Sequence, residues 1–194
     1  MARLDILDSL QRRADESWWF GADSLQFARS VRQSLDALTR DWGAKHPRVL
    51  VCDRDSTKFL AHFLAACIAE YPVFLCNPHW GDREWSQVEA IARPQIIFGN
   101  CPIASHPPTE SDAGDRGLIL IPTGGSSGEI KFAMHAWETL VASVAGFQEY
   151  FQRDRVDSFC TLPLYHVSGL MQFVRSFSSG GRLVLTSSKQ MLAG

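Results

Sequence analysis

The stretch that most restricts what this chain can become is residues 117–135, Gly-Leu-Ile-Leu-Ile-Pro-Thr-Gly-Gly-Ser-Ser-Gly-Glu-Ile-Lys-Phe-Ala-Met-His. Leu118 to Ile121 has the length and β-branched content of a buried strand, and it opens onto Thr123-Gly124-Gly125-Ser126-Ser127-Gly128. Glycines permit positive φ and hydroxyls donate hydrogen bonds, so successive backbone N–H groups can converge on phosphate oxygens with no side chain in the way. Lys131 follows closely and adds a full positive charge. The pattern lacks the Gly-Lys-Ser/Thr ending of a Walker A loop and the Gly-x-Gly-x-x-Gly of dinucleotide folds. The preceding strand, the spaced lysine and the apolar Phe132-Ala133-Met134 that resumes at once separate it from an ordinary Gly/Ser connection.

The rest of the chain supplies an α/β setting for this loop. From residue 48 strand and helix alternate: a strand over Arg48 to Cys52, a helix capped by Asp55 with Phe59, Leu60, Phe63, Leu64 and Cys67 inward, and a strand over Pro72 to Cys76. That order implies a right-handed crossover and a parallel sheet. A helix from about Asp82 with Trp85, Val88 and Ile91 on one face ends at Pro94, before a strand over Gln95 to Phe98. Residues 100–116 have no periodic pattern and read as a surface connection. After the loop come a strand over Ile130 to Met134, a helix burying Trp137, Leu140, Val144, Phe147 and Phe151, a strand over Asp157 to Leu162, an apolar helix beginning near Met171, and a strand over Arg182 to Thr186. Upstream, Leu4, Leu7 and Leu10 mark one helix and Asp23 caps another that stops at Asp41-Trp42-Gly43; Trp18, Trp19 and Phe20 between them read as packing. The expected architecture is a doubly wound, mostly parallel sheet with flanking helices, in which residues 1–45 form N-terminal helices packed on an α/β unit of residues 46–194.

A length of 194 residues with 45% hydrophobic content allows one substantial core. The formal charge of −2 gives no bulk reason for a nucleic-acid partner, and the longest apolar runs fall short of the ~20 residues needed to span a bilayer. Acidic residues in Met-Ala-Arg-Leu-Asp-Ile-Leu-Asp argue against a targeting peptide, and five cysteines with no Cys-x-x-Cys pair read as reduced core thiols; both fit a cytoplasmic protein with no metal site.

Thr123-Gly-Gly-Ser-Ser-Gly-Glu-Ile-Lys131 resembles the phosphate loop of the adenylate-forming superfamily, which includes acyl-CoA synthetases, peptide-synthetase adenylation domains and luciferases and is usually written Thr-Ser-Gly-Thr-Thr-Gly-x-Pro-Lys. Ile130 stands where that pattern has Pro, and Phe132 where Gly commonly follows the lysine. The resemblance implies that Thr123, Gly124, Gly125, Ser126, Ser127, Gly128 and Lys131 hold the β- and γ-phosphates of ATP, aided by Mg²⁺. Leu162-Pro163-Leu164-Tyr165-His166-Val167-Ser168-Gly169 is similar to the family segment where carboxylate and nucleotide meet. There His166 donates to an oxygen of the acyl carboxylate or the forming adenylate, with Ser168 and Gly169 in the same substrate wall. His-Val-Ser-Gly followed by Arg175 is similar in particular to o-succinylbenzoate–CoA ligases of menaquinone and phylloquinone biosynthesis, whose substrate is a dicarboxylate, and implies that Arg175 neutralises the non-reacting carboxylate. Lys131 and His166 are the implied catalytic residues, and ATP, coenzyme A and a small carboxylate the implied partners. The resemblance covers only the early motifs. The aromatic-Gly-x-Thr-Glu segment, the ribose motif and the late catalytic lysine are not found, and the sequence is expected to be the N-terminal part of a longer ligase, inactive by itself in thioester formation. The alternatives are another aryl-, fatty-acyl- or amino-acid-activating member, or a non-catalytic nucleotide-binding fragment.

Overall fold

The computed structural model describes residues 2–107, 115–124 and 128–186. Local chemistry sets most element boundaries. Helix α1 (Ala2–Ala14) is followed by the two-residue strand β1 (Trp19–Phe20) and by α2 (Ser24–Trp42), where the Asp23 carboxylate accepts the Gln26 N–H at 2.8 Å. Strand β2 (Val49–Cys52) leads to α3 (Ser56–Ala69), capped in the same way by Asp55, which accepts the Lys58 N–H at 2.9 Å. Then come β3 (Val73–Leu75), α4 (Asp82–Ala92), β4 (Ile96–Gly99), the hairpin β5 (Ile119–Gly124) and β6 (Ile130–His135), and α5 (Trp137–Phe151). The described chain closes with β7 (Ser158–Cys160), α6 (Val167–Ser179) and β8 (Leu183–Leu185).

The expected α/β architecture with parallel strands and flanking helices is present, divided between two sheets. A five-stranded sheet has the order β4-β2-β3-β5-β6, with β6 alone antiparallel, and a three-stranded parallel sheet has the order β1-β8-β7. Side chains alternate across the larger sheet, as its pleat requires. Val49, Val51, Val73, Leu75, Ile119 and Ile121 face a core shared with α1, α2, α3, α5 and α6. Leu50, Cys52, Phe74 and Cys76 face the opposite way, onto Trp85, Val88 and Ala92 of α4. Helix α6 joins the two sheets: Leu170, Phe173, Val174 and Phe177 lie in the main core with Trp18, Trp19 and Leu183.

Several boundaries differ from the sequence expectation. Strands β2, β3, β7 and β8 are shorter than the sequence reading, β7 covering only Ser158–Cys160, whereas β6 runs one residue further, to His135. Strand β5 runs on through Thr123 and Gly124, because Thr123 pairs with Lys131 and Gly124 with Ile130 across the hairpin. Helix α6 starts at Val167, not near Met171. On α5, Trp137, Leu140 and Val144 are buried, whereas Phe151 is 53% exposed. All five cysteines are free; Cys101 is half-buried and the other four are buried.

Candidate functional site

The hairpin and the parallel strands bring the sequence motifs to one end of the molecule. Strand β5 runs parallel to β3, so Thr123 and Gly124 lie at the carboxyl end of the parallel array, where ligands bind in open α/β sheets. Thr123 and Lys131 are cross-strand partners, and the Thr123 hydroxyl donates to the Lys131 carbonyl at 3.3 Å. Lys131 is exposed and alternates with Ile130 and Phe132, which pack toward α4, so it stands on the sheet's other face. Gly125, Ser126 and Ser127 lie outside the described residues; Gly128, just beyond them, is exposed with φ of 71°.

One residue not singled out from the sequence fixes this arm of the hairpin. The side-chain amide of Gln87, on α4, accepts the Ile130 N–H at 2.8 Å and donates to the Gly128 carbonyl at 3.4 Å. One turn earlier, an Arg83 terminal nitrogen lies 3.6 Å from the point a β-carbon on Gly128 would occupy. These contacts join residues far apart in sequence, and no local pattern announces them.

The second motif leaves the smaller sheet at the same end. His166 is exposed and occupies the N-cap position of α6, not a strand end, its ring centroid 4.8 Å from that of Tyr165. Ser168 is exposed on the first turn. Gly169 is buried because α6 meets the preceding chain there: a β-carbon would sit 2.2 Å from the Pro163 carbonyl oxygen. Arg175 lies on the side of α6 next to α5. Its guanidinium carbon is 4.4 Å above the Phe147 ring centroid, and its Nε is buried with no hydrogen-bond partner. Among the described residues no carboxylate pairs with it.

A cleft of about 590 Å³ opens where the carboxyl ends of β1, β2, β7 and β8 converge. Trp19, Phe59, Leu164 and Tyr165 give it apolar wall, and Asp53, Arg54 and His79 give it polar rim. Burial pushes the Tyr165 hydroxyl up from its ordinary pKa, keeping it a neutral donor. Asp53 is held from behind by His62, whose Nδ1 lies 2.7 Å from the carboxylate while its ring stacks on Phe98 at 3.9 Å. The cleft includes Tyr165 but not His166, Arg175, Thr123 or Lys131, so the structure places the motifs around one end of the fold without gathering all of them into one cavity. Among the described residues no group of three or more His, Cys, Asp or Glu side chains is arranged to hold a metal ion, and no helix is long and apolar enough to cross a membrane.

No curated protein matches the chain. Among solved structures, the fatty acyl-adenylate ligase from L. pneumophila in complex with acyl adenylate and pyrophosphate superimposes with a TM-score of 0.74 at 16% identity, over 97% of this chain and 40% of that one. VinN with 3-methylaspartate gives a TM-score of 0.76 at 17% identity, over 100% of this chain and 63% of that one. A double mutant of o-succinylbenzoate CoA synthetase from Bacillus subtilis, bound to a product analogue, gives 0.74 at 15% identity, over 97% of this chain and 46% of that one. The chain therefore spans less than two thirds of the length of each of these relatives. Residues 99–193, which contain both motifs, match the family described as AMP-binding enzyme, and the described chain has the fold of the N-terminal domain of adenylate-forming enzymes.

Proposed function

We propose that this chain is the N-terminal part of an ATP-dependent carboxylate–CoA ligase whose acid is o-succinylbenzoate. The observation that carries the ligase reading is the placement of the Thr123–Lys131 hairpin and the Leu162–Gly169 segment at the same end of an adenylate-forming fold. A carboxylate is a poor acyl donor, because oxide would have to leave. Attack of a carboxylate oxygen on the α-phosphorus of ATP expels pyrophosphate and leaves an acyl adenylate; the CoA thiol then attacks the acyl carbon and AMP departs. The protein's share is positioning and charge neutralisation. Thr123, the hairpin amides and Lys131 hold the β- and γ-phosphates, and His166 orients the acyl oxygen. ATP is activated with Mg²⁺ in such enzymes; the described residues form no ligand set of their own for it, so no step here is routed through the ion.

The finer assignment of the acid rests on Arg175. Arg175 is half-buried, stacked on Phe147 and free of any described carboxylate, and its charge is the one we assign to a second carboxylate of the substrate. Equilibrium titration of the chain with ATP, compared with Lys131→Ala, tests the hairpin: loss of most binding in the variant is expected, and equal binding removes the ligase reading. With the whole ligase, Arg175→Ala is expected to raise KM for o-succinylbenzoate about tenfold, the scale of one lost charge-assisted contact, while leaving a monocarboxylate unaffected. An unchanged KM would transfer the assignment to another acid.

A further inference from the structure

Buried free cysteines are usually inert core residues, but three of the five collect on one face of the larger sheet, and one of those three reaches the surface. We propose that Cys52 and Cys101 form an oxidisable dithiol, which hydrogen peroxide converts to an intramolecular disulfide. The pair includes none of the residues assigned to ATP or the acid, so it stands whether or not the ligase reading does.

The fold, rather than any sequence spacing, brings the two sulfurs together. Strands β2 and β4 are parallel neighbours in which Cys52 is the partner of Gly99. Their backbones approach closely there: a β-carbon on Gly99 would lie 2.6 Å from the Cys52 carbonyl carbon. Gly99, with φ of 101°, turns the chain. Cys101 follows two residues later and packs against the cluster that holds Cys52, Cys76, Trp85 and Val88. The Cys52 and Cys101 side chains are in hydrogen-bonding contact, whereas Cys76 feels both through charge alone. Cys67 lies in the main core and Cys160 on the smaller sheet, and neither senses another thiol. A disulfide forms without backbone movement only where two side chains already converge, which selects Cys52 and Cys101.

Exposure sets the order of events. Cys101 is half-buried, while Cys52 and Cys76 have no exposed surface. Burial also pushes the Cys52 and Cys76 thiols up from their ordinary pKa, which keeps both protonated and inert toward a dissolved oxidant. The Cys101 sulfur attacks one oxygen of the peroxide, the O–O bond breaks, and a sulfenic acid forms as water leaves. The Cys52 sulfur then attacks the Cys101 sulfur, the S–O bond breaks, its oxygen departs as a second water with the Cys52 proton, and the S–S bond closes. Two electrons pass from the two thiols to the peroxide. The cross-link lies beside the cleft rim. Asp53 follows Cys52, and the Cys52 thiol donates at 3.3 Å to the carbonyl of Phe98, whose ring stacks on His62, the partner of Asp53.

The test is peptide mapping of the 194-residue chain after brief exposure to hydrogen peroxide, alkylation of the remaining thiols under denaturing conditions, and digestion without reductant. The expected product is a peptide pair joining Cys52 to Cys101, lost on treatment with dithiothreitol, with Cys67, Cys76 and Cys160 still alkylated. In urea, where the fold no longer selects partners, this pair is expected to lose its predominance. Cys52→Ser is expected to leave Cys101 as a sulfenic acid that dimedone traps, and Cys101→Ser to leave Cys52 unoxidised. A disulfide from Cys101 to Cys76 or to a second chain overturns the proposal. So does Cys101 carried on to sulfinic acid with Cys52 still alkylated, or a folded chain whose Cys101 does not react. These last results are read on the unaltered chain, so they decide the matter even where a variant at buried Cys52 does not fold.

Discussion

The two sheets are stabilised in different ways. The five-stranded sheet is covered on both faces, by α4 on one side and by the main helical layer on the other, and its interior strand β2 reads Val-Leu-Val-Cys with all four residues buried. That is the pattern of a parallel sheet enclosed by helices. The three-stranded sheet is also parallel, but its inner face alone packs on α6. Phe20 and Phe159 are 54% and 59% exposed, and both are in register with Val184, so an apolar row crosses the outer face. Its amino-terminal rim is tied instead by polar side chains. Ser179 accepts the Val156 N–H at 2.9 Å, the Ser176 hydroxyl lies 3.1 Å from the carbonyl oxygens of Val156 and Arg182, and Arg13 reaches the Gly181 carbonyl. Where apolar burial from one side is all that is available, hydrogen bonds from neighbouring helices fix the strands.

The contrast predicts a large asymmetry between aromatic deletions. Phe63 is fully buried under the larger sheet, with its ring centroid 6.3 Å from that of Trp137. Phe63→Ala is expected to cost about 3–5 kcal/mol, enough to empty the native state of an ordinary domain. Phe159→Ser, on the uncovered face, is expected to change stability by no more than about 0.5 kcal/mol. Urea unfolding of both variants provides the comparison. A Phe159→Ser cost close to that of Phe63→Ala would mean that the outer face is buried in solution.

Smaller in size, but specific to the lesser sheet, is the effect of a methyl group at Gly181. A β-carbon there would lie 2.1 Å from the Val156 carbonyl oxygen and 2.4 Å from its carbon. The obstruction is backbone, which cannot rotate away as a side-chain end can. Gly181→Ala is expected to cost about 1–3 kcal/mol, the usual scale for overpacking. Hydrogen exchange locates the damage: Leu183 and Ser158 amides are expected to lose protection first, with Val49 and Val73 amides following only at global unfolding. Equal loss at all four would show that the two sheets unfold as one unit.

What the sequence made legible follows the same division. Asp23 and Asp55 cap helices through contacts three residues away, and the alternation of strands and helices in residues 48–99 is a local pattern, so both could be read directly. The small sheet could not. Its strand β1 is two residues long and pairs Trp19 with Leu183, a partner that no periodicity identifies. The start of α6 was hidden by Gly169, which weakens a helical signal and is there because the Pro163 carbonyl leaves no room for a side chain. At the hairpin, Thr123 and Gly124 carry loop-like residue types, yet pairing with Lys131 and Ile130 keeps them in strand. The motif residues announced their chemistry; Gln87 and Arg83, which brace and flank that hairpin from another helix, announced nothing.

The smallest expected effect tests whether charge contributes to the polar rim of the lesser sheet. Asp157 precedes β7 and accepts the Arg182 backbone N–H at 2.7 Å, while its other oxygen lies 3.0 Å from an Arg182 terminal nitrogen. The backbone N–H, and after it the guanidinium, hold the Asp157 carboxyl below the usual carboxylate range. A depressed folded-state value means that the ionised form stabilises the fold above the unfolded pKa of about 3.9, and that this contribution is lost as pH falls through the folded value. Both side chains are more than half exposed, at 54% and 64%, so solvent screening limits the contribution to about 0–1 kcal/mol. Asp157→Asn preserves the acceptor for the Arg182 N–H and removes only the charge. Its stability deficit, measured by urea unfolding in low salt, is expected to be present at pH 7 and smaller at pH 3, below the unfolded value, vanishing only as pH falls through the depressed folded value and the aspartate too becomes neutral. A deficit of the same size at both pH values would assign the effect to hydrogen-bond geometry, and the rim of the smaller sheet would then owe nothing to the Asp157–Arg182 ion pair.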